Sequence, residues 1–149
     1  MATIHLPPDF KEFLKLLEDH KVHYLLIGGY AVGYYGYPRA TADMDIWIAI
    51  HPDNAQKIVS VLREFGFDVP ELSADLFLKE QQIVRMGVPP VRLEITTSIS
   101  GVGFNECYEE RERGVLDGIE INFISLKHLK INKKASGRYK DLNDLENLP

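Results

Sequence analysis

Two aspartates, Asp43 and Asp45, begin the apolar run DMDIWIAI, and this placement constrains the chain more than any other feature of its sequence. In a β-strand, residues two apart point to the same face, so both carboxylates project together while Met44 points into the core. Two adjacent carboxylates repel each other, and burying them unpaired is unfavourable. A divalent cation removes that conflict, and Mg²⁺ prefers a few carboxylates together with water and substrate phosphates. The pattern therefore predicts a metal site at the start of this strand.

A third acid, Glu94, lies inside the apolar segment VRLEITT. Its neighbours Leu93 and Ile95 point to the opposite face of a strand, so Glu94 needs a partner on its own face. If this strand lies beside the one that begins at Asp43, the acid joins the same cluster. Three carboxylates would then form a two-metal clamp, in which one ion activates the attacking oxygen and the other steadies the leaving pyrophosphate.

Gly28 and Gly29 end the apolar run HYLLIGG and lead into a short helix. Glycine lets the backbone approach a ligand closely, and the amides at a helix start can face a phosphate. The segment is neither the GxGxxG fingerprint nor the Walker pattern, so dinucleotide and P-loop interpretations lack their motif. A lone Asp-x-Asp or Gly-Gly is more often a strand end or a plain turn. Together with Arg39, Thr41 and a later acid, the set is much more specific.

Hydrophobic periodicity predicts an α/β (α+β) fold with a mixed sheet flanked by helices, in a single domain over residues 1–149. Helices and strands alternate early in the chain, and strands meet in hairpins later. The strongest hairpin signal is Asp117-Gly118, in GVLDGIEINFIS. The charged segment EERER is expected to be a solvent-facing helix. Predicted helices include LPPDFKEFLKLLEDH, PDNAQKIVSVLREFGF, SLKHLKINKKA and RYKDLNDLENL.

The formal net charge of −5 argues against broad nonspecific nucleic-acid binding, although KHLKINKKASGRYK forms a local basic patch. The single cysteine, Cys107, cannot form an internal disulfide, which fits a reducing compartment. The sequence shows neither a signal-peptide pattern nor an apolar run long enough to cross a bilayer. A cytoplasmic protein with no membrane association is expected.

The segment LIGGYAVGYYGYPRATADMDIWI resembles the signature of the nucleotidyltransferase superfamily, whose fold is of the DNA polymerase β type. In that signature, an apolar residue and Gly-Gly precede a helix, and T-x-D-x-D opens a strand. The pattern K-x-A-S-G-R-x-K-D-L-x-D, from Lys133 to Asp144, is similar to a bacterial branch of small proteins. This branch comprises the AbiEii-type and minimal nucleotidyltransferases linked to toxin–antitoxin systems.

The resemblance implies transfer of a nucleoside monophosphate from an NTP such as ATP to a hydroxyl, with two Mg²⁺ ions, or Mn²⁺ in their place. It also implies roles for individual residues. The metal-binding carboxylates are Asp43, Asp45 and Glu94, although the third acid of the branch is usually aspartate. Matching positions for NTP binding are Gly28 and Gly29 at the phosphate-facing turn, Arg39 and Thr41 near the triphosphate, and the basic residues Lys133, Arg138 and Lys140 of the closing helices.

Several alternatives stay open at this point. The acceptor is a tRNA end, a protein side chain or a small hydroxyl compound such as an antibiotic, and the chain could act with an antitoxin partner or as a homodimer. A catalytically inactive nucleotide- or partner-binding module with the same fold is the alternative to an enzyme, and a hydrolase using the same metals is a third possibility. Asp141 and Asp144 lie three apart on a predicted helix and are expected to pair with nearby basic side chains rather than with metal.

Overall fold

The computed structural model describes residues 4–41 and 43–149. The strands are β1 (Tyr24–Ile27), β2 (Asp43–Ile48), β3 (Ile83–Val88), β4 (Val91–Thr96), β5 (Glu112–Leu116) and β6 (Ile119–Phe123). The helices are α1 (Pro8–Asp19), α2 (Gly28–Tyr34), α3 (Pro52–Phe65), α4 (Phe104–Glu109), α5 (Leu126–Ser136) and α6 (Tyr139–Asn147), with a 3-10 turn at Ala74–Phe77. None of the helices in this part of the chain has the length and apolar composition needed to span a membrane.

The strands form one mixed six-stranded sheet in the order β3-β4-β2-β1-β6-β5. The central β2 pairs in parallel with β4 and antiparallel with β1, and β1 pairs in parallel with β6. Two antiparallel hairpins, β3–β4 and β5–β6, form the outer parts of the sheet. The predicted α/β fold with a mixed sheet flanked by helices is confirmed.

Alternation along β2 separates a buried side of the sheet from the side that carries the acids. Met44, Ile46 and Ile48 are fully buried. They join a hydrophobic core to which α1 and α3 contribute their apolar stripes, and these two helices pack against each other. Burial of these apolar side chains is the main favourable term holding β2 in place. The intervening residues of β2 are thereby fixed on the opposite face of the sheet.

The hairpin around Asp117-Gly118 is confirmed, and it explains an error in the neighbouring prediction. Both turn residues have positive φ, +50° and +79°, as a type I′ turn requires. The register of that hairpin pairs Glu112 with Phe123. The segment EERER is therefore not a solvent-facing helix, since α4 ends at Glu109 and β5 begins three residues later. Strand pairing across the turn overrides the helical preference of a charged segment.

Candidate active site

Three carboxylates meet on one face of the sheet because of the register between β2 and β4. In this parallel pair, Asp45 lies directly beside Glu94, and Asp43 lies beside Arg92. Residues aligned across neighbouring strands share a face, as do residues two apart on one strand. The structure thus places Glu94 next to both aspartates of the Asp-x-Asp pair.

Electrostatic strain in this cluster is concentrated on Asp45. Its pKa is raised to about 7 by burial, then by a hydrogen bond with the Glu94 carboxyl and by the negative charges of Glu94 and Asp43. The Lys140 ammonium opposes this increase. A carboxylate that resists ionisation because it is buried beside two other acids is in an environment where a divalent cation binds favourably. The donor set of three carboxylates therefore fits Mg²⁺ or Mn²⁺.

Two arginines that the sequence analysis did not select flank the acids. Arg92 donates Nε to one oxygen of Asp43 at 3.0 Å and Nη2 to the other at 2.9 Å. This bidentate hydrogen bonding holds the pKa of Asp43 below its ordinary value. Arg85 on β3 donates Nε to Glu94 at 2.7 Å. Strand alternation could have found Arg92, which is two residues from Glu94, whereas Arg85 faces Glu94 across the β3–β4 hairpin of the structure.

The two glycines make room for side chains of this site. Gly28, the first residue of α2, has φ +68°, and a Cβ added there would overlap the Asp45 carboxylate. A Cβ on Gly29 would lie 2.6 Å from Thr41 Oγ1. Thr41 in turn donates its hydroxyl to the backbone oxygen of Asp43 at 3.2 Å. Gly-Gly therefore lets the start of α2 lie directly against the acidic cluster.

Three of the basic side chains expected near a triphosphate are engaged by two buried acids of α6. Arg39 donates to both oxygens of Asp144, at 2.8 and 3.0 Å. Lys133, which is only 5% exposed, lies 3.2 Å from Asp141 and 3.0 Å from Asp144. Arg138 donates Nε to Asp141 at 2.8 Å. The expected pairing of both aspartates with basic residues is confirmed, and the network joins the loop before β2 to α5 and α6.

Two positive charges of this region also act on the acidic cluster. Lys140, an exposed residue of α6, lowers the pKa of Asp45. The pKa of Arg138 is raised by its hydrogen bond with Asp141, and the charges of Asp45 and Glu94 add to that increase. The Arg138 side chain is largely exposed. These two side chains are therefore close enough for their positive charges to act on the carboxylate cluster.

A groove lies further along the same strand pair. Trp47 and Thr96 form the aligned pair two residues beyond Asp45 and Glu94, about 7 Å along the strands. The groove has a volume of about 1020 Å³, which is large enough for a drug-sized molecule. Its walls come from the ends of β2 and β4, the start of α3 and the start of α4, where the Phe104 ring packs edge-on against Trp47.

Known structures with a similar fold are nucleotidyltransferases or resemble them. A candidate nucleotidyltransferase from Thermotoga maritima aligns with a TM-score of 0.63 and 18% identity, over 92% of this chain and 88% of its own. The lincosamide antibiotic adenylyltransferase LnuA, with lincomycin bound, aligns with a TM-score of 0.62 and 18% identity, over 95% of both chains. An antigenic nucleotidyltransferase-like protein from Paracoccidioides brasiliensis gives 0.56 and 15%, over 92% and 72% of the two chains.

Comparison with curated protein sequences gives no match. A family model does match, and it is described as aminoglycoside-2''-adenylyltransferase. The match runs over residues 9–148 and so includes the Asp-x-Asp strand, Glu94 and both closing helices. The chain therefore belongs to the aminoglycoside-2''-adenylyltransferase family within the nucleotidyltransferase superfamily.

Proposed function

We propose that this protein transfers AMP from ATP to a hydroxyl group of a small antibiotic, of the aminoglycoside or lincosamide type, in a Mg²⁺-dependent reaction. The observation that carries the proposal is the alignment of Asp45 with Glu94 beside Asp43, on the face of the sheet that continues into the groove. The family match and the antibiotic-binding structural neighbour support the choice of acceptor.

Three carboxylates are proposed to hold the metal: Asp43, Asp45 and Glu94. When bound, Mg²⁺ stabilises the charge that develops on the transferring phosphoryl group and on the leaving pyrophosphate. The acceptor hydroxyl oxygen forms a bond to the α-phosphorus of ATP. The bond between that phosphorus and the oxygen bridging to the β-phosphate breaks, and pyrophosphate leaves. We assign to Glu94 the removal of the hydroxyl proton, since it lies at the end of the cluster nearest the outer hairpin and is partly exposed.

The basic residues divide into two proposed roles. Arg138 and Lys140, whose charges act on the cluster, are proposed to neutralise the triphosphate. Arg39 and Lys133 position the closing helices through their bonds to buried acids of α6. Thr41, Gly28 and Gly29 shape the turn against which the triphosphate would lie.

A catalytically inactive binding module is the second candidate, and one observation favours it. Arg92 occupies both oxygens of Asp43, and these are the atoms that a metal ion requires. Such a module would act through a partner such as an antitoxin, or as a homodimer, as the resemblance to AbiEii-type proteins implies.

An RNA or protein acceptor is the corresponding alternative for an active enzyme. All of these roles place the protein in the cytoplasm, where ATP and Mg²⁺ are available and the buried Cys107 stays reduced.

The test is incubation with α-phosphate-labelled ATP, Mg²⁺ and separate pools of aminoglycosides, lincosamides, total RNA and total protein. Label in an antibiotic pool, lost in Asp45→Asn but kept in the surface control Glu146→Gln, supports the proposal. Label confined to RNA or protein overturns the choice of acceptor. If no pool is labelled, the binding module is the better account.

A further inference from the structure

A second cluster of metal-ligating side chains lies between α4 and α5. His128, in the first turn of α5, is 1% exposed. Its Nε2 lies 3.8 Å from Glu106 Oε1 and 3.4 Å from Glu110 Oε2. The three candidate ligand atoms all lie within 4.8 Å of one another. We propose that Glu106, Glu110 and His128 bind a divalent transition-metal ion of the Zn²⁺ type.

The buried imidazole nitrogen is the observation that points to a ligand. His128 Nε2 has no hydrogen-bond partner among residues 4–41 and 43–149, although a glutamate oxygen lies within 3.4 Å. At that distance, a missing hydrogen bond means that the oxygen lies off the ring N–H direction. Buried polar atoms are rarely left unpaired, because each loses its hydration without compensation. A cation along the ring direction, with the glutamates beside it, satisfies all three groups.

The distances from His128 Nε2 to the two glutamate oxygens fit a shared metal ion better than they fit a direct ion pair. Ligand atoms about 2.1 Å from a tetrahedral Zn²⁺ lie about 3.4 Å apart. The nitrogen–oxygen distances of 3.4 and 3.8 Å are close to this spacing. Glu106 and Glu110 have exposed side chains that can adjust by a few tenths of an ångström, whereas the buried imidazole is fixed.

Ser125 holds the imidazole in the orientation that a metal ligand needs. Its Oγ lies 3.0 Å from His128 Nδ1 and also accepts the His128 backbone N–H at 3.2 Å. With the proton on Nδ1 donated to Ser125 Oγ, Nε2 keeps a lone pair that is free to bind a cation. A hydrogen bond to the second ring nitrogen is the usual support of a metal-binding histidine.

The ligand chemistry selects the type of ion. One imidazole and two carboxylates suit Zn²⁺ and its neighbours in the first transition row, whereas Mg²⁺ prefers oxygen ligands alone. Lys127 lies 3.7 Å from the other oxygen of Glu110, and both side chains are exposed, so this ion pair competes weakly. The ion would fasten α4, which carries the groove residue Phe104, to the start of α5.

The test is titration of chelator-treated protein with Zn²⁺ against a chromophoric chelator, repeated with Co²⁺ to record the absorption spectrum of the bound ion. Glu106→Gln and Glu110→Gln are each expected to weaken Zn²⁺ binding by about tenfold or more, because each removes a ligand. Glu109→Gln, on the same helix but outside the cluster, is expected to leave the affinity unchanged. Asp45→Asn is also expected to leave it unchanged, which separates this site from the proposed catalytic one.

Unchanged Zn²⁺ affinity in both Glu106→Gln and Glu110→Gln would overturn the proposal, as would binding that disappears in Asp45→Asn. The absence of a Co²⁺ spectrum that depends on Glu106 and Glu110 would also overturn it. The glutamates are exposed, so these variants do not put folding at risk. The result does not depend on whether the protein transfers AMP.

Discussion

Glu94 lies directly across from Asp45 on the neighbouring parallel strand, so the two carboxyl groups project from the same face of the sheet. Burial, together with the neighbouring Glu94 carboxyl, raises the pKa of Asp45, so the cluster destabilises the protein unless a cation or a proton relieves it. Such a conflict is typical of a functional site, where stability is lower than the fold alone would allow. The pair therefore connects the chemistry of the site to measurable effects on stability.

Asp45→Asn is expected to change activity and stability in opposite directions. The amide cannot hold the metal, so AMP transfer should fall by at least about 100-fold. The amide can donate a hydrogen bond to Glu94 and carries no charge, so chelator-treated protein should gain about 1 kcal/mol in free energy of unfolding. Urea denaturation with EDTA measures the second effect. A less stable variant would show that the two carboxylates do not repel each other.

Gly28→Ala tests whether the glycine turn serves the acidic cluster. Gly28 and Gly137 have nearly the same φ angle, +68° and +67°. A Cβ at position 28 overlaps Asp45, whereas one at position 137 makes only an ordinary contact at 3.6 Å.

Gly137→Ala should therefore lower the free energy of unfolding by about 1–2 kcal/mol, from left-handed backbone strain alone. Gly28→Ala should lower the free energy of unfolding further and should also abolish Mg²⁺-dependent stabilisation by ATP in a thermal shift assay. Equal effects of the two substitutions on both readouts would mean that Gly28 has only a conformational role.

Local patterns predicted the elements of the site, but not how they meet. The Asp-x-Asp spacing sets which face of β2 carries the acids, and alternation in VRLEITT sets the face of Glu94. The parallel pairing of β2 with β4 joins segments about 50 residues apart in the sequence, and the register between them is decided by core packing. For that reason, Asp45 and Glu94 were expected to meet only if their strands proved adjacent.

The basic segment near the C-terminus shows what composition cannot predict. Lys133 and Arg138 have the same charge and were both expected at a triphosphate. The side chain of Lys133 is buried against Asp141 and Asp144, whereas that of Arg138 is largely exposed. The position of each residue relative to the contact between α5 and α6 decides whether its side chain is buried or exposed. A local charge pattern does not predict that position.

Arg92→Gln is expected to strengthen Mg²⁺ binding in the absence of ATP by up to about fivefold. The guanidinium competes for both oxygens of Asp43, and such a solvent-accessible ion pair is weak, so its removal has only a modest effect. Isothermal titration with Mg²⁺ measures the change. Arg63→Gln, which removes an arginine–aspartate pair elsewhere, is the matched control. If Arg92→Gln leaves Mg²⁺ affinity unchanged, the ion does not use Asp43.

Lys133→Met should destabilise the protein by about 3 kcal/mol, because it leaves two buried carboxylates short of a positive partner. Lys134→Met, at the exposed neighbouring position of the same helix, should change the free energy of unfolding by less than about 0.5 kcal/mol. Denaturant unfolding at neutral pH measures both. A variant at position 133 that is as stable as wild type but binds ATP more weakly would instead place Lys133 at the triphosphate.

Asp141 should make a contribution to stability that is lost in acid. Burial alone would raise its pKa, but hydrogen bonds from Arg138, Ser136 and Lys133 outweigh it and hold the pKa well below the ordinary value of 3.8. The Asp141 carboxylate therefore binds a proton more readily in the unfolded chain than in the folded protein. The contribution is fully present above about pH 5 and decreases as the pH falls below the pKa of Asp141 in the unfolded chain towards its lower pKa in the folded protein.

Wild type should exceed Asp141→Asn in free energy of unfolding by roughly 1–3 kcal/mol at neutral pH. That difference should shrink between about pH 5 and about pH 2.5, as followed by urea denaturation. A difference independent of pH would mean that packing, rather than the charge of Asp141, holds α6 against α5.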